Sequence, residues 1–222
     1  MFGEEGAEWL LTHLDSICED IEGKERYSYS YFSCVHGVGH GLMAYFDHEL
    51  FESLEGCDKL SGAWEQSTCY GGVFMENVIS DSPDEPSKFL KRDDPLYPCN
   101  AVDDVYRYQC YLMQTSHMLT LFDGDFGKVF DACASVEEKY RTTCYQSLGR
   151  DASGWSFGSQ EDVLVYCENG RTSEQKTYCL VGAAVDFIQS SGAEAARALC
   201  QRGDAEARKT CSEAVEYQLR SL

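Results

Sequence analysis

The sequence has no CxxC pair, no apolar run long enough to span a bilayer, and little positive charge: 18 lysines and arginines stand against 38 acidic residues, a formal charge of −20. Structural zinc and iron–sulfur sites rely on closely spaced cysteine pairs, so a thiolate metal centre lacks its usual framework. A membrane-spanning helix needs about 18 or more consecutive apolar residues, so no membrane span is expected. So acidic a chain repels nucleic acid and anionic lipid, and gathers cations and basic partners. Too few basic residues interleave its 14 tyrosines and 11 phenylalanines to make a nucleic-acid stacking surface. Neither a G-x-G-x-x-G nor a Walker sequence occurs. The opening stretch "MFGEEGAEWLL" has neither a basic region nor an apolar core, so a secretory leader is expected to have been trimmed or to lie upstream.

Proline is scarce as well, and all four prolines (Pro83, Pro86, Pro95 and Pro98) fall in "DSPDEPSKFLKRDDPLYPCN". Cysteine is abundant. Twelve cysteines, an even number spread over 222 residues, point to a disulfide framework made in an oxidising compartment, extracellular or periplasmic.

In chain order the cysteines form six pairs, Cys18/Cys34, Cys57/Cys69, Cys99/Cys110, Cys133/Cys144, Cys167/Cys179 and Cys200/Cys211. From Cys57 onward the first members recur at intervals of 42, 34, 34 and 33 residues, the period of stacked helical hairpins. Segments such as "EAARALC" and "DAEARKTCSEAVEYQLRSL" are rich in helix formers, with Gly124, Gly170, Gly192 and Gly203 where turns are wanted. Ser159, Ser173 and Asp204 are expected to cap helices. The fold expected is all-α: a single domain over 1–222, an α/α-hairpin repeat array (a solenoid or compact toroid-like array) stapled by disulfides. Bridges within hairpins fit the spacing, and bridges between neighbouring repeats remain open. The overlong 42-residue interval places a proline-rich insertion at 81–98 between repeats.

Counting from the second cysteine of each pair gives an internal alignment. Position +3 reads Gly37, Gly72, Met113, Ser147, Gly182 and Ala214, mostly small, as close helix approach demands. Position +7 reads Gly41, Glu76, His117, Asp151, Asp186 and Gln218, and is polar in five repeats of six. His36 and His40 stand at i, i+4 in "CVHGVGHGLMAYFDH", so both imidazoles can face one ion. With Glu76 and His117 they form a candidate site for a divalent or transition metal, and zinc, iron, manganese or copper would all suit such ligands. Asp151 is expected to orient an imidazole. Without metal, His117, Glu76 and Asp151 are candidate catalytic acid/base groups. His48 is expected at the surface, and Asn77 as an orienting or capping amide. The alternation in "RYSYSYFSC" predicts an extended segment with Tyr27, Tyr29 and Tyr31 on one side.

The period of about 34 residues and the paired cysteines resemble those of secreted cysteine-rich, tetratricopeptide-like helical repeat proteins, over roughly residues 45–221. That resemblance implies a concave groove for a protein, peptide or small polar ligand. The usual tryptophan, glycine and proline pattern of those repeats is missing, so no binding residues carry over. The leading expectation is a metal-binding repeat protein, in one form a metalloenzyme. The alternatives are a peptide or protein recognition module and a metal-free acid/base enzyme acting on a small molecule or carbohydrate.

Overall fold

A computed structural model describes residues 9–24, 27–80 and 87–220. The described residues are helical or irregular and include no strand. They fall into two compact units, one comprising the chain up to residue 90 with 102–110, the other 91–101 with 111–221. Five bridges, Cys18–Cys34, Cys57–Cys69, Cys133–Cys144, Cys167–Cys179 and Cys200–Cys211, join cysteines that follow one another in the chain. Cys99 and Cys110 are also disulfide-bonded, and no cysteine is free. Among the described residues no helix is long and apolar enough to cross a membrane.

The first unit holds α1 (Leu14–Ile17), α2 (Tyr29–Tyr45), α3 (Leu50–Cys57) and α4 (Ala63–Ile79). The Ser28 hydroxyl accepts from the Tyr31 backbone N–H at 3.3 Å and starts α2. The expected extended segment is therefore corrected: from Tyr29 onward the chain is helical, Tyr31 turns inward and Tyr29 outward. Leu42, Met43, Leu50, Leu54, Tyr70 and Phe74 form the unit's core. Helices α2 and α4 cross at glycines. A Cβ on Gly39 would lie 2.1 Å from the Cys69 carbonyl oxygen, and one on Gly72 2.0 Å from that of His36. Only hydrogen at both positions permits so close an approach.

Helix α5 (Asp104–Met113) carries residues of both units. The second unit continues with α6 (Thr115–Leu121), α7 (Phe126–Ala134), α8 (Glu138–Ser156), α9 (Gln160–Cys167), α10 (Ser173–Ser190), α11 (Ala193–Cys200) and α12 (Ala205–Arg220). A short helix ending at or beside a cysteine, a bridge, and a long helix with the second cysteine in its first two turns recur through this unit. Ser159 caps α9, and the Asp204 carboxylate accepts from the backbone N–H groups of Glu206 and Ala207. At α10 the cap is Thr172 rather than Ser173. Thr172 and Gln175 exchange side-chain-to-backbone hydrogen bonds as a capping box, one residue before the expected start. The glycine crossing recurs between α8 and α10: a Cβ on Gly149 would lie 1.9 Å from the Cys179 carbonyl oxygen, and one on Gly182 1.9 Å from that of Gln146.

Residues 81–86 of the expected insertion lie outside the described residues. In the first unit, Ser87 donates to the Asn77 carboxamide oxygen at 2.6 Å, Lys88 pairs with Glu49, and Phe89 meets Phe51 edge-on. In the second, the buried Gln114 amide donates to the carbonyls of Pro95 and Tyr97 at 3.0 and 2.8 Å. Both ends of the non-helical stretch 87–98 are thus tied down within their own units.

Candidate functional site

The most developed polar site lies in the first unit, along the top of the α2–α4 crossing. The close approach at Gly39 and Gly72 brings His40 and Glu76 together, with His40 Nδ1 2.6 Å from Glu76 Oε2 and both side chains half-buried. A carboxylate oxygen only accepts, so Nδ1–H donates, and the neutral tautomer with that proton leaves its lone pair on Nε2. This is the arrangement by which a carboxylate orients a general base or a metal-ligating imidazole. Glu76 stands as the orienting group behind His40, a role the sequence analysis gave to Asp151.

His36 lies one turn earlier on α2, its ring 5.1 Å from that of His40 and 5.4 Å from Phe32. From Phe32 the series of rings continues to Tyr29 at 6.2 Å and to Trp64 of α4 at 6.4 Å. Trp64 also stacks on Tyr31 and tilts against Tyr27, at 5.6 and 4.7 Å. Tyr27, Tyr29 and Phe32 are exposed, at 49%, 48% and 39%. This ribbon, from Tyr27 to His40, is the feature that sequence reasoning missed. Its partial signal was Phe32, His36 and His40 at i, i+4, i+8, but the contribution of Trp64 depends on the α2–α4 crossing.

Beneath the ribbon, the Tyr31 hydroxyl donates to Glu65 Oε1 at 2.9 Å. Burial, then the Glu65 carboxylate, pushes the Tyr31 phenol up to about 12. A cleft beside this pair is lined by Leu14, Val35, Val38 and Leu60, with Asp15, Lys24 and Glu65 as its charged groups. On the far side of α4, Asp58 accepts from both Tyr70 and Tyr106, at 2.5 and 2.6 Å. Burial and this shared carboxylate raise both phenols well above their ordinary range.

The other expected site residues lie in the second unit. His117 is buried, with Nε2 3.4 Å from the Lys91 carbonyl oxygen. Asp151, also buried, accepts from Thr115 and Ser116 at 2.6 and 2.8 Å and pairs with Arg150 at 2.8 Å. Arg150 and Ser147 both donate to the Leu112 carbonyl oxygen, at 2.9 and 2.7 Å. The helical path breaks at Gln114, between α5 and α6, and these groups satisfy the carbonyl freed there. Asp151 thus sits within a structural network. Asn77 is buried on Ser87, and His48 is exposed in a left-handed conformation just past α2.

Among the described residues, no group of three or more His, Cys, Asp and Glu side chains could hold a metal ion. One string, Gly154-Trp-Ser-Phe-Gly158, has the spacing of a nucleophile elbow. It lies at the end of a helix instead of between a strand and a helix, and the buried Ser156 hydroxyl donates to the Ser153 carbonyl at 2.7 Å. It therefore presents no nucleophile. No known family model, curated protein or solved structure matches the chain.

Proposed function

We propose that the chain is an extracytoplasmic, disulfide-stapled array of α/α-hairpin repeats that recognises a peptide or protein segment carrying basic and aromatic side chains. The observation that carries this reading is the ribbon of exposed Tyr27, Tyr29 and Phe32 rings arranged around half-buried Trp64. Aromatic faces take up cationic and aromatic side chains at little cost in conformational entropy. The Glu65 carboxylate under Tyr31, and a chain charge of −20, favour a positive ligand. The twelve disulfide-bonded cysteines support an oxidising location.

A peptide rich in arginine and tyrosine, titrated by isothermal calorimetry, tests the reading. Trp64→Ala and Phe32→Ala should each weaken binding by about tenfold or more, while Val165→Ala, an exposed residue of the second unit, leaves it nearly unchanged. Equal affinity in the wild type and the Trp64 variant would sink the idea.

The second reading is acid/base or metal chemistry at His40 Nε2, supported by the Glu76 hydrogen bond that orients the ring. Elemental analysis and metal titration of the wild type and His40→Ala separate it from the first, because recognition by the ribbon requires no metal.

A further inference from the structure

We infer that Lys91 and Arg92 form a processing site for a trypsin-like serine protease, and that cleavage after Arg92 yields a two-chain protein held together without a disulfide. The pair lies in the non-helical stretch 87–98, and Lys91, Arg92 and Asp93 are all exposed. Both flanks are fixed: Ser87 bonds Asn77 and Phe89 is buried on one side, and the Gln114 amide holds the Pro95 and Tyr97 carbonyls on the other. Between them the backbone N–H groups from Lys91 to Asp94 make no hydrogen bond among the described residues. A protease grips an extended substrate through such backbone groups. A segment with no N–H bonds to break enters that grip without wider unfolding.

The side chains single out Arg92. Lys91 Nζ sits over the Tyr97 ring, 3.7 Å from its centroid. Arg92 has no hydrogen-bond or ion-pair partner among the described residues. Asp94, two residues on, instead accepts from the Leu96 backbone and the Asn100 amide at 3.2 and 2.9 Å. The Arg92 guanidinium is therefore open to the acidic specificity pocket of a trypsin-like enzyme.

The bridges explain why a cut here differs from a cut elsewhere. Cys18–Cys34 and Cys57–Cys69 precede residue 92, while Cys99, Cys110 and the other three bridges follow it, so no disulfide spans the Arg92–Asp93 bond. Every lysine and arginine outside 88–92 lies either between two bridged cysteines, where a cut leaves its ends tethered, or in a helix, as Lys128, Arg150, Arg197 and Arg220 do. Lys88, beside buried Phe89, is paired with Glu49. The chain's other basic pair, Arg208 and Lys209, is both helical and inside the Cys200–Cys211 loop.

Hydrolysis breaks the Arg92–Asp93 C–N bond; the oxygen of water ends in the Arg92 carboxylate, and the leaving nitrogen becomes the Asp93 ammonium. The pieces stay together because residues 102–110, beyond the cut, belong to the first unit. There the Tyr106 hydroxyl donates to Asp58 at 2.6 Å, its ring meets Tyr70 edge-on at 4.9 Å, and Gln109 donates to Ser67 at 2.9 Å. Val102 and Cys110 are buried in the same packing, and a nick upstream removes none of it.

Limited digestion of the whole disulfide-bonded chain with a catalytic amount of trypsin tests both parts, read by intact mass, by denaturing gels without reductant and by size exclusion in native buffer. The expected first separation gives one piece ending at Arg92 and another beginning at Asp93, which part on the gel and co-elute in native buffer. Lys91→Gln combined with Arg92→Gln changes two exposed side chains, so circular dichroism should be unchanged while separation slows by at least about tenfold. Arg208→Gln combined with Lys209→Gln should leave the rate as it is. A first separating cut outside 91–93 overturns the inference, as does a 91/92 variant that separates as fast as the wild type. So do pieces that elute apart in native buffer, or a chain that inhibits trypsin and stays whole.

Discussion

Gly39 and Gly72 hold α2 and α4 in backbone contact, each pressed against a carbonyl oxygen of the opposite helix, Cys69 for the first and His36 for the second. Gly149 and Gly182 repeat the arrangement five and three residues after Cys144 and Cys179, the same offsets by which Gly39 and Gly72 follow Cys34 and Cys69. The crossing sets where His40 meets Glu76 and where Trp64 meets Phe32. It therefore fixes the site as well as the fold.

The glycines of α2 should separate by position. Gly39→Ala forces a Cβ into backbone that cannot swing aside and should cost about 3 kcal/mol. Gly37→Ala and Gly41→Ala meet open space in a helix and should each gain about 0.5–1 kcal/mol. Urea unfolding reads all three. A destabilising Gly37→Ala would contradict the geometry.

The bridges within hairpins span 11 and 12 residues at the Cys133–Cys144 and Cys167–Cys179 pairs. Closing a loop of that size restricts the unfolded chain by about 3 kcal/mol. Replacing both Cys133 and Cys144 by alanine should lower stability by about 2–3 kcal/mol in denaturant titration, the buried pair also leaving a small packing defect.

The cysteine spacing made the helical hairpins legible, because a short turn between two helices fixes how far apart bridged residues can lie along the chain. The small residues at +3 announced one side of each close crossing, Gly72 and Gly182, but not the +5 glycines Gly39 and Gly149 opposite them, and Gly37, expected in the same packing column, faces open space. The +7 column announced polarity but not partners. Glu76 meets the imidazole of His40, Asp151 meets Thr115, Ser116 and Arg150, and Asp186 meets Ser153, so equivalent carboxylates serve different neighbours. His117 approaches a backbone carbonyl, that of Lys91, which no side-chain pattern encodes. The alternation at Tyr27–Tyr31 misled because five residues of period two are outweighed by one serine cap and the burial of Tyr31 and Val35 on a helical face.

Tyr31 gives the first unit an alkaline limit. Its phenol is raised from an ordinary 10.0 to about 12 by burial and by Glu65. A raised folded-state value means that the neutral phenol's contribution is complete below pH 10.0 and is lost as pH climbs toward about 12, since the unfolded chain gives up its proton first. Tyr31→Phe cannot ionise, so its stability should fall less steeply across that window. Parallel pH–stability curves from denaturant midpoints check this, with a steeper fall in the variant as the contrary outcome.

The His40–Glu76 contact predicts a tautomer. With Nδ1–H donated to the carboxylate, the neutral ring should carry its proton on Nδ1, and long-range nitrogen–proton NMR should show Nε2 unprotonated at alkaline pH. Glu76→Gln weakens the acceptor and should shift the population toward the Nε2–H form. The partly exposed pair should contribute less than about 1 kcal/mol to stability, so the spectrum can change while the fold persists.

Asp151 distinguishes a structural network from a catalytic one. Removing its carboxylate leaves Arg150, Thr115 and Ser116 without a shared acceptor in a buried setting. Asp151→Ala should therefore cost about 3–4 kcal/mol, most of it the penalty of a stranded guanidinium. Asp151→Asn keeps a carbonyl acceptor and should cost less. Adding Arg150→Met to Asp151→Ala removes the stranded charge, so the double variant should be more stable than the sum of the single losses. Strict additivity in that cycle would mean that the two side chains act independently and that Asp151 is not the centre of the network between α6 and α8.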